Sequence, residues 1–136
     1  MIFIGGYMKI IYEKENYHFG TFCVKFEEKY FPYENWSDFY IWIIIDWINV
    51  IFENENKNIS DFRLDVMEGS HYLLCTKNYD KISIVGVYND KANVLFGEFE
   101  FSLLKDILLD ARKQILQNAK KSLIWNDDLR SLQSIV

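Results

Sequence analysis

Residues 39–52 read Phe-Tyr-Ile-Trp-Ile-Ile-Ile-Asp-Trp-Ile-Asn-Val-Ile-Phe, and this run constrains the fold more than any other part of the chain. Its fourteen residues fall short of the roughly 20 that a membrane-spanning helix needs, so the run is a buried element of a protein interior. Apolarity alone fits a central strand as well as a core helix. The polar positions decide between them. At 100° per residue Asp38, Asp46, Asn49 and Glu53 fall in one narrow stripe, a pattern that strand alternation does not produce. The spacing predicts a helix over residues 36–53, capped near Asn35 or Ser37, with Pro32 upstream at the end of a strand or its connection.

On the N-terminal side, residues 8–14 and 18–29 contain strand-like runs around the turn-prone Glu15-Asn16, which is a β-hairpin signal. On the other side, residues 53–58 read as a solvated polar loop. Four short runs follow, at 61–67, 70–76, 81–88 and 93–101, with turn residues between them, and they predict an antiparallel meander. Residues 82–87 are apolar on both faces, which suits a central strand. From Ser102 the period becomes helical, through Leu104, Ile107, Leu108, Ala111, Ile115 and Ala119. Ser102 suits an N-cap, with Asp106 and Asp110 early in the helix and Arg112, Lys113, Lys120 and Lys121 late. Leu129, Leu132 and Ile135 suggest a short final helix. The expected fold is α+β, an antiparallel sheet of about six strands in the order ββ-α-ββββ-α with a short C-terminal helical element. A single domain is expected over residues 1–136, with residues 1–7 mobile and Met8 an alternative start.

The 136-residue chain is 50% hydrophobic and 18% aromatic, which excludes general disorder and supports a conventional core. Six Gly, one Pro and two Cys exclude collagen-like, low-complexity and disulfide-scaffold classes. A net charge of −5 has the wrong sign for holding nucleic acid through its phosphates and favours a basic partner, and no membrane association is expected. Cys23 and Cys75 are isolated, and no secretory pattern precedes the first strand. A cytoplasmic protein with reduced thiols is therefore expected.

The catalytic inventory is sparse. His18 and His71 lack a helical His pair or a Cys-x-x-Cys, and four residues of strand would hold His71 and Cys75 roughly 13 Å apart, too far for one metal ion. Ser70 beside His71 lacks a nucleophile elbow and an orienting acid, and the glycines form no phosphate-binding loop. The expectation is a protein that is not an enzyme and uses no cofactor and no metal.

Two sets of residues stand out as partner-binding surfaces. Asp38, Trp42 and Asp46 are spaced by one helical turn each and would present carboxylate, indole and carboxylate in line. The alternative is a largely buried helix with Trp42 packed under the loop at 53–58. Glu98 and Glu100 share one face of the last strand, with Asp65 and Glu68 available from the first strand of the meander; a solvated sheet face would explain these acids equally well.

The aromatic-rich entry to the first helix, Phe31-Pro32-Tyr33-Glu34-Asn35-Trp36-Ser37-Asp38-Phe39, follows a hairpin and precedes a meander and a Ser-capped helix. In this pattern residues 8–120 resemble the immunity proteins of bacterial polymorphic and contact-dependent toxin systems. The resemblance implies a cytosolic protein that binds a cognate toxin domain, often a basic nuclease, and covers its active site or its substrate path. Two other functions fit the composition: a small-molecule-binding or catalytic α+β domain, and a homo-oligomeric adaptor.

Overall fold

The computed structural model describes residues 7–15, 19–67, 70–89, 91–121 and 127–134. Residues 1–6, His18 and Glu68 therefore lie outside the described residues. The fold is α+β, with two four-stranded antiparallel sheets and three helices among the described residues.

The N-terminal hairpin pairs β1 (Met8–Lys14) with β2 (Gly20–Phe26), Met8 opposite Phe26 and Lys14 opposite Gly20. Two very short strands occupy the other edge of β2. β3 (Lys29–Phe31) lies opposite residues 24–26, and β4 (Ser37–Asp38) lies opposite Gly20 and Thr21. Segments of three and two residues are too short to carry an alternation signal.

The first helix, α1 (Tyr40–Asn54), begins later than residue 36 because Ser37 and Asp38 belong to the sheet. Its N-cap is Phe39, with no side-chain cap bond. Ile41, Ile43, Ile44, Ile48 and Ile51 are buried, and the helix packs against β2, β5 and both later helices. Each β-branched Ile costs about 0.5 kcal/mol in helix propensity and returns roughly 2 kcal/mol when buried, so the surroundings override the strand-like composition. Trp47 is fully buried. Its Nε1 donates to the Asp65 carbonyl at 2.7 Å, and its ring meets Phe22 edge-on at 5.4 Å.

The segment expected to be a loose loop after α1 is held at several points. Asn54 is buried and donates to the Val50 carbonyl, Lys105 pairs with Glu55 at 2.5 Å, and the Asn58 carbonyl accepts from the Tyr79 amide. The Lys57 carbonyl accepts from the buried Lys77 amine, which also lies 5.0 Å from the Phe101 ring centroid.

The meander forms a sheet of its own, β5 (Ile59–Asp65), β6 (His71–Asn78), β7 (Lys81–Tyr88) and β8 (Ala92–Glu100), paired in chain order. β7 is an interior strand, as its two apolar faces predict. The expected single sheet of about six strands is thus corrected to two sheets of four. The cause is that β3 and β4 take the far edge of β2, and no strand of the meander pairs with β1, which runs beside the last long helix. The sheets meet through rings instead: Phe26 stacks on Phe96 at 4.5 Å, and Phe31 meets Phe96 and Tyr88.

The second helix, α2 (Phe101–Lys121), follows β8 without a connecting residue. Ser102, expected as its cap, lies inside the first turn, and the Phe101 amide donates to the Asp80 carbonyl at 2.8 Å. Leu104, Leu108, Ala111, Ile115 and Ala119 form its buried face. The third helix, α3 (Asp127–Ser134), buries Leu129 and Leu132, and Arg112 donates to the carbonyls of Leu132 and Gln133 at 2.9 and 2.8 Å. Cys23 and Cys75 are both buried and free, and burial raises the pKa of both thiols. Among the described residues no helix is long and apolar enough to cross a membrane, and no group of three His, Cys, Asp or Glu could hold a metal ion.

Candidate partner-binding surface

Strand alternation gives the second sheet an inner face that packs on the core and an outer face on which Asp61, Arg63, Leu74, Thr76, Leu95 and Glu98 are exposed. On β6, Leu73, Cys75 and Lys77 turn inward and are buried, while Leu74 and Thr76 turn outward and are exposed. The register places Arg63, Leu74, Val85 and Leu95 in one row across the four strands. The next row is Asp61, Thr76, Ser83 and Glu98, and beyond it Lys81 stands opposite Glu100. The result is an apolar row, with Leu95 62% and Leu74 38% exposed, bordered by carboxylates.

A β-bulge makes this face. Pairing shifts between Ile84 and Val85, so that Leu95 faces Val85 while Gly97 faces Ile84. Gly97 has φ 134°, a backbone conformation that side-chain-bearing residues rarely adopt. The extra residue lets Leu95 and Glu98, three positions apart, appear on the same side while Phe96 turns inward.

The charges on this face are unevenly matched. Arg63 pairs with Asp65 at 2.9 Å and lies 3.6 Å from the Tyr72 ring centroid, and Lys81 pairs with Glu100. Asp61 and Glu98 have no ion pair among the described residues. Pleated strands lie about 4.8 Å apart, so these two carboxylates sit roughly 14 Å from each other at the ends of their row.

The stripe expected on the first helix is divided by the fold. Asp38 is off the helix and fully buried. Its carboxylate accepts from the Trp36 indole nitrogen at 2.8 Å and from the Phe39 amide at 2.7 Å, so it is a structural anchor with no surface to offer a partner. Trp42, at 43% exposure, and Asp46 do face outward from α1. Burial raises the Asp46 carboxyl above the ordinary Asp range, and the charges of Asp65 and Glu53 add to that rise. Asp46 thus feels the charge of Asp65 on β5, while Glu98 and Glu100 lie across the same sheet on β8.

Sequence reasoning missed Asp61 and the apolar row. The signal for Leu74 was present as alternation between Tyr72 and Thr76, and Gly97 marked the bulge. It also missed the surroundings of His71, which is buried with its ring 5.2 to 5.6 Å from those of Tyr33, Trp36 and Tyr88. These contacts clasp the connection after β3 onto the second sheet. The His71 Nδ1 has no hydrogen-bond partner among the described residues.

Compared with protein-family models, curated proteins and solved structures, the chain matches none of them.

Proposed function

We propose that this protein is an immunity protein, a cytoplasmic inhibitor that binds a basic toxin domain and blocks its active site or its substrate path. The observation that carries the reading is the exposed part of the outer face of β5 to β8, where Leu74, Val85 and Leu95 form an apolar centre between Asp61, Asp65, Glu98 and Glu100. An exposed apolar patch rimmed by charge has the anatomy of a protein interface. The excess of carboxylates, together with the net charge of −5, selects a basic partner. Trp42 and Asp46 offer a second exposed patch on α1, and an exposed Trp supplies the kind of anchor that dominates binding energy.

The test has two stages. Tagged protein is used to capture partners from its native cells, and the co-purifying chain is identified and its domain expressed alone. The reading requires that this domain arrest bacterial growth and that co-expression of the present chain restore it. Rescue should be lost in Leu95→Asp combined with Glu98→Lys, two changes at exposed positions, with an unchanged melting temperature as the check on folding. Capture of self-copies only, or of a domain with no effect on growth, sinks the proposal.

A further inference from the structure

Among the described residues β1 is the unpaired edge of the first sheet, with β2 its one strand partner. The Glu27 amide bonds to the Tyr7 carbonyl and the Glu15 amide to the Phe19 carbonyl, so the odd-numbered residues of β1 direct their backbone groups toward β2. By alternation, the N–H and C=O groups of Ile10 and Tyr12 point outward from the sheet. Beside this edge runs an open groove of about 330 Å³ between β1 and α2, whose lining includes Lys9, Ile10 and Tyr12 on the strand and Asp106, Ile107 and Asp110 on the helix, two carboxylates against one amine. A free edge is a template for another strand, and the groove beside it has room for side chains.

We infer that β1 and α2 form a second docking site, which takes an extended segment of a partner polypeptide as an added β-strand with Lys or Arg at alternate positions. Spacing and charge both select that segment. Asp106 and Asp110 are exposed and one helical turn apart, about 6 Å along the axis, while alternate side chains of a strand are about 6.8 Å apart. Two basic residues separated by one can thus each meet a carboxylate while the backbone pairs with Ile10 and Tyr12. Tyr12 is close enough to Asp110 for that carboxylate to help raise its phenol pKa, after the larger effect of burial, which places Asp110 toward the groove. A second copy of the chain fits less well. Antiparallel pairing of two β1 strands about Ile11 would bring both α2 helices to the same side and set Asp106 and Asp110 against their own copies. The site shares no residue with the outer face of β5 to β8.

The probe is the peptide acetyl-Val-Thr-Lys-Val-Lys-Thr-Val-amide, titrated into the full chain labelled for NMR, with the counterpart carrying Glu in place of both Lys as control. The Lys peptide should bind at least tenfold more tightly and slow hydrogen exchange at the Ile10 and Tyr12 amides. Combined Asp106→Asn and Asp110→Asn should remove the preference while leaving the melting temperature within a few degrees. Equal binding of the two peptides overturns the inference, as does unchanged exchange at Ile10 and Tyr12. Protection of those amides without peptide, together with a doubled mass in solution, assigns the edge to a second copy and overturns it too.

Discussion

Asp38 and Asp46 are eight residues apart and meet opposite environments. Asp38 is enclosed and accepts from an indole nitrogen and a backbone amide, so replacing it removes the acceptor of two half-buried donors. Bonds to a charged group contribute about 1.5 to 3 kcal/mol each. Asp38→Ala is expected to lower the unfolding free energy by about 2 to 4 kcal/mol, measured by urea denaturation; a loss below half a kilocalorie would mean that the carboxylate anchors nothing. Asp46 is exposed, and its folded-state pKa is raised by burial, Asp65 and Glu53. A raised carboxyl pKa means that ionisation costs more in the folded than in the unfolded chain. Its favourable contribution is fully present below the unfolded value and is lost as pH rises through the folded one. Asp46→Asn should therefore stabilise the protein at pH 7, by a few tenths of a kcal/mol after solvent screening, and give no gain near pH 3. Melting curves at the two pH values test the sign.

At the scale of elements, the β7–β8 pair holds an inner side that packing constrains tightly and an outer side that it leaves free. A Cβ on Gly86 would meet the Phe96 ring at 2.4 Å, and that ring is itself stacked on Phe26. Gly86→Ala should cost about 1 to 3 kcal/mol through overpacking. Leu95→Ser, on the other side of the same strand pair, should change stability by no more than about 0.5 kcal/mol because the side chain is 62% exposed. Denaturation of both variants checks the contrast. Equal losses would mean that the outer face is packed against something and is no interface.

At the scale of the whole molecule, the charge balance bears on how a partner arrives and the apolar surface on how long it stays. If the outer face of β5 to β8 receives a basic domain, Glu98→Lys and Asp61→Lys should slow association severalfold and flatten its dependence on salt, whereas Leu95→Ala and Trp42→Ala should chiefly speed dissociation. Stopped-flow or biosensor kinetics at two ionic strengths separate these effects. Unchanged rates in all four variants would assign recognition elsewhere on the molecule.

The elements themselves were largely legible in the sequence, because local periodicity encodes them. The polar stripe through Asp46, Asn49 and Glu53 identified α1 despite its run of Ile, short strand-like runs between turn residues marked the six longer strands, and the recurrence from Leu104 to Ala119 marked α2. Charge sign and the two isolated cysteines needed no structure either. The division into two sheets was decided by tertiary structure, since strands as short as β3 and β4 acquire their identity only from the β2 edge they pair with. The placement of Asp38 depended on the same edge: helical spacing aligned it with Trp42 and Asp46, but pairing opposite Gly20 removed it from the helix and buried it. The apolar row on the outer face required cross-strand register and the bulge at Gly97, which depend on residues brought together from four separate strands. Periodicity along one segment specifies which side chains share a face, and only pairing between segments determines which faces join and which remain open to a partner.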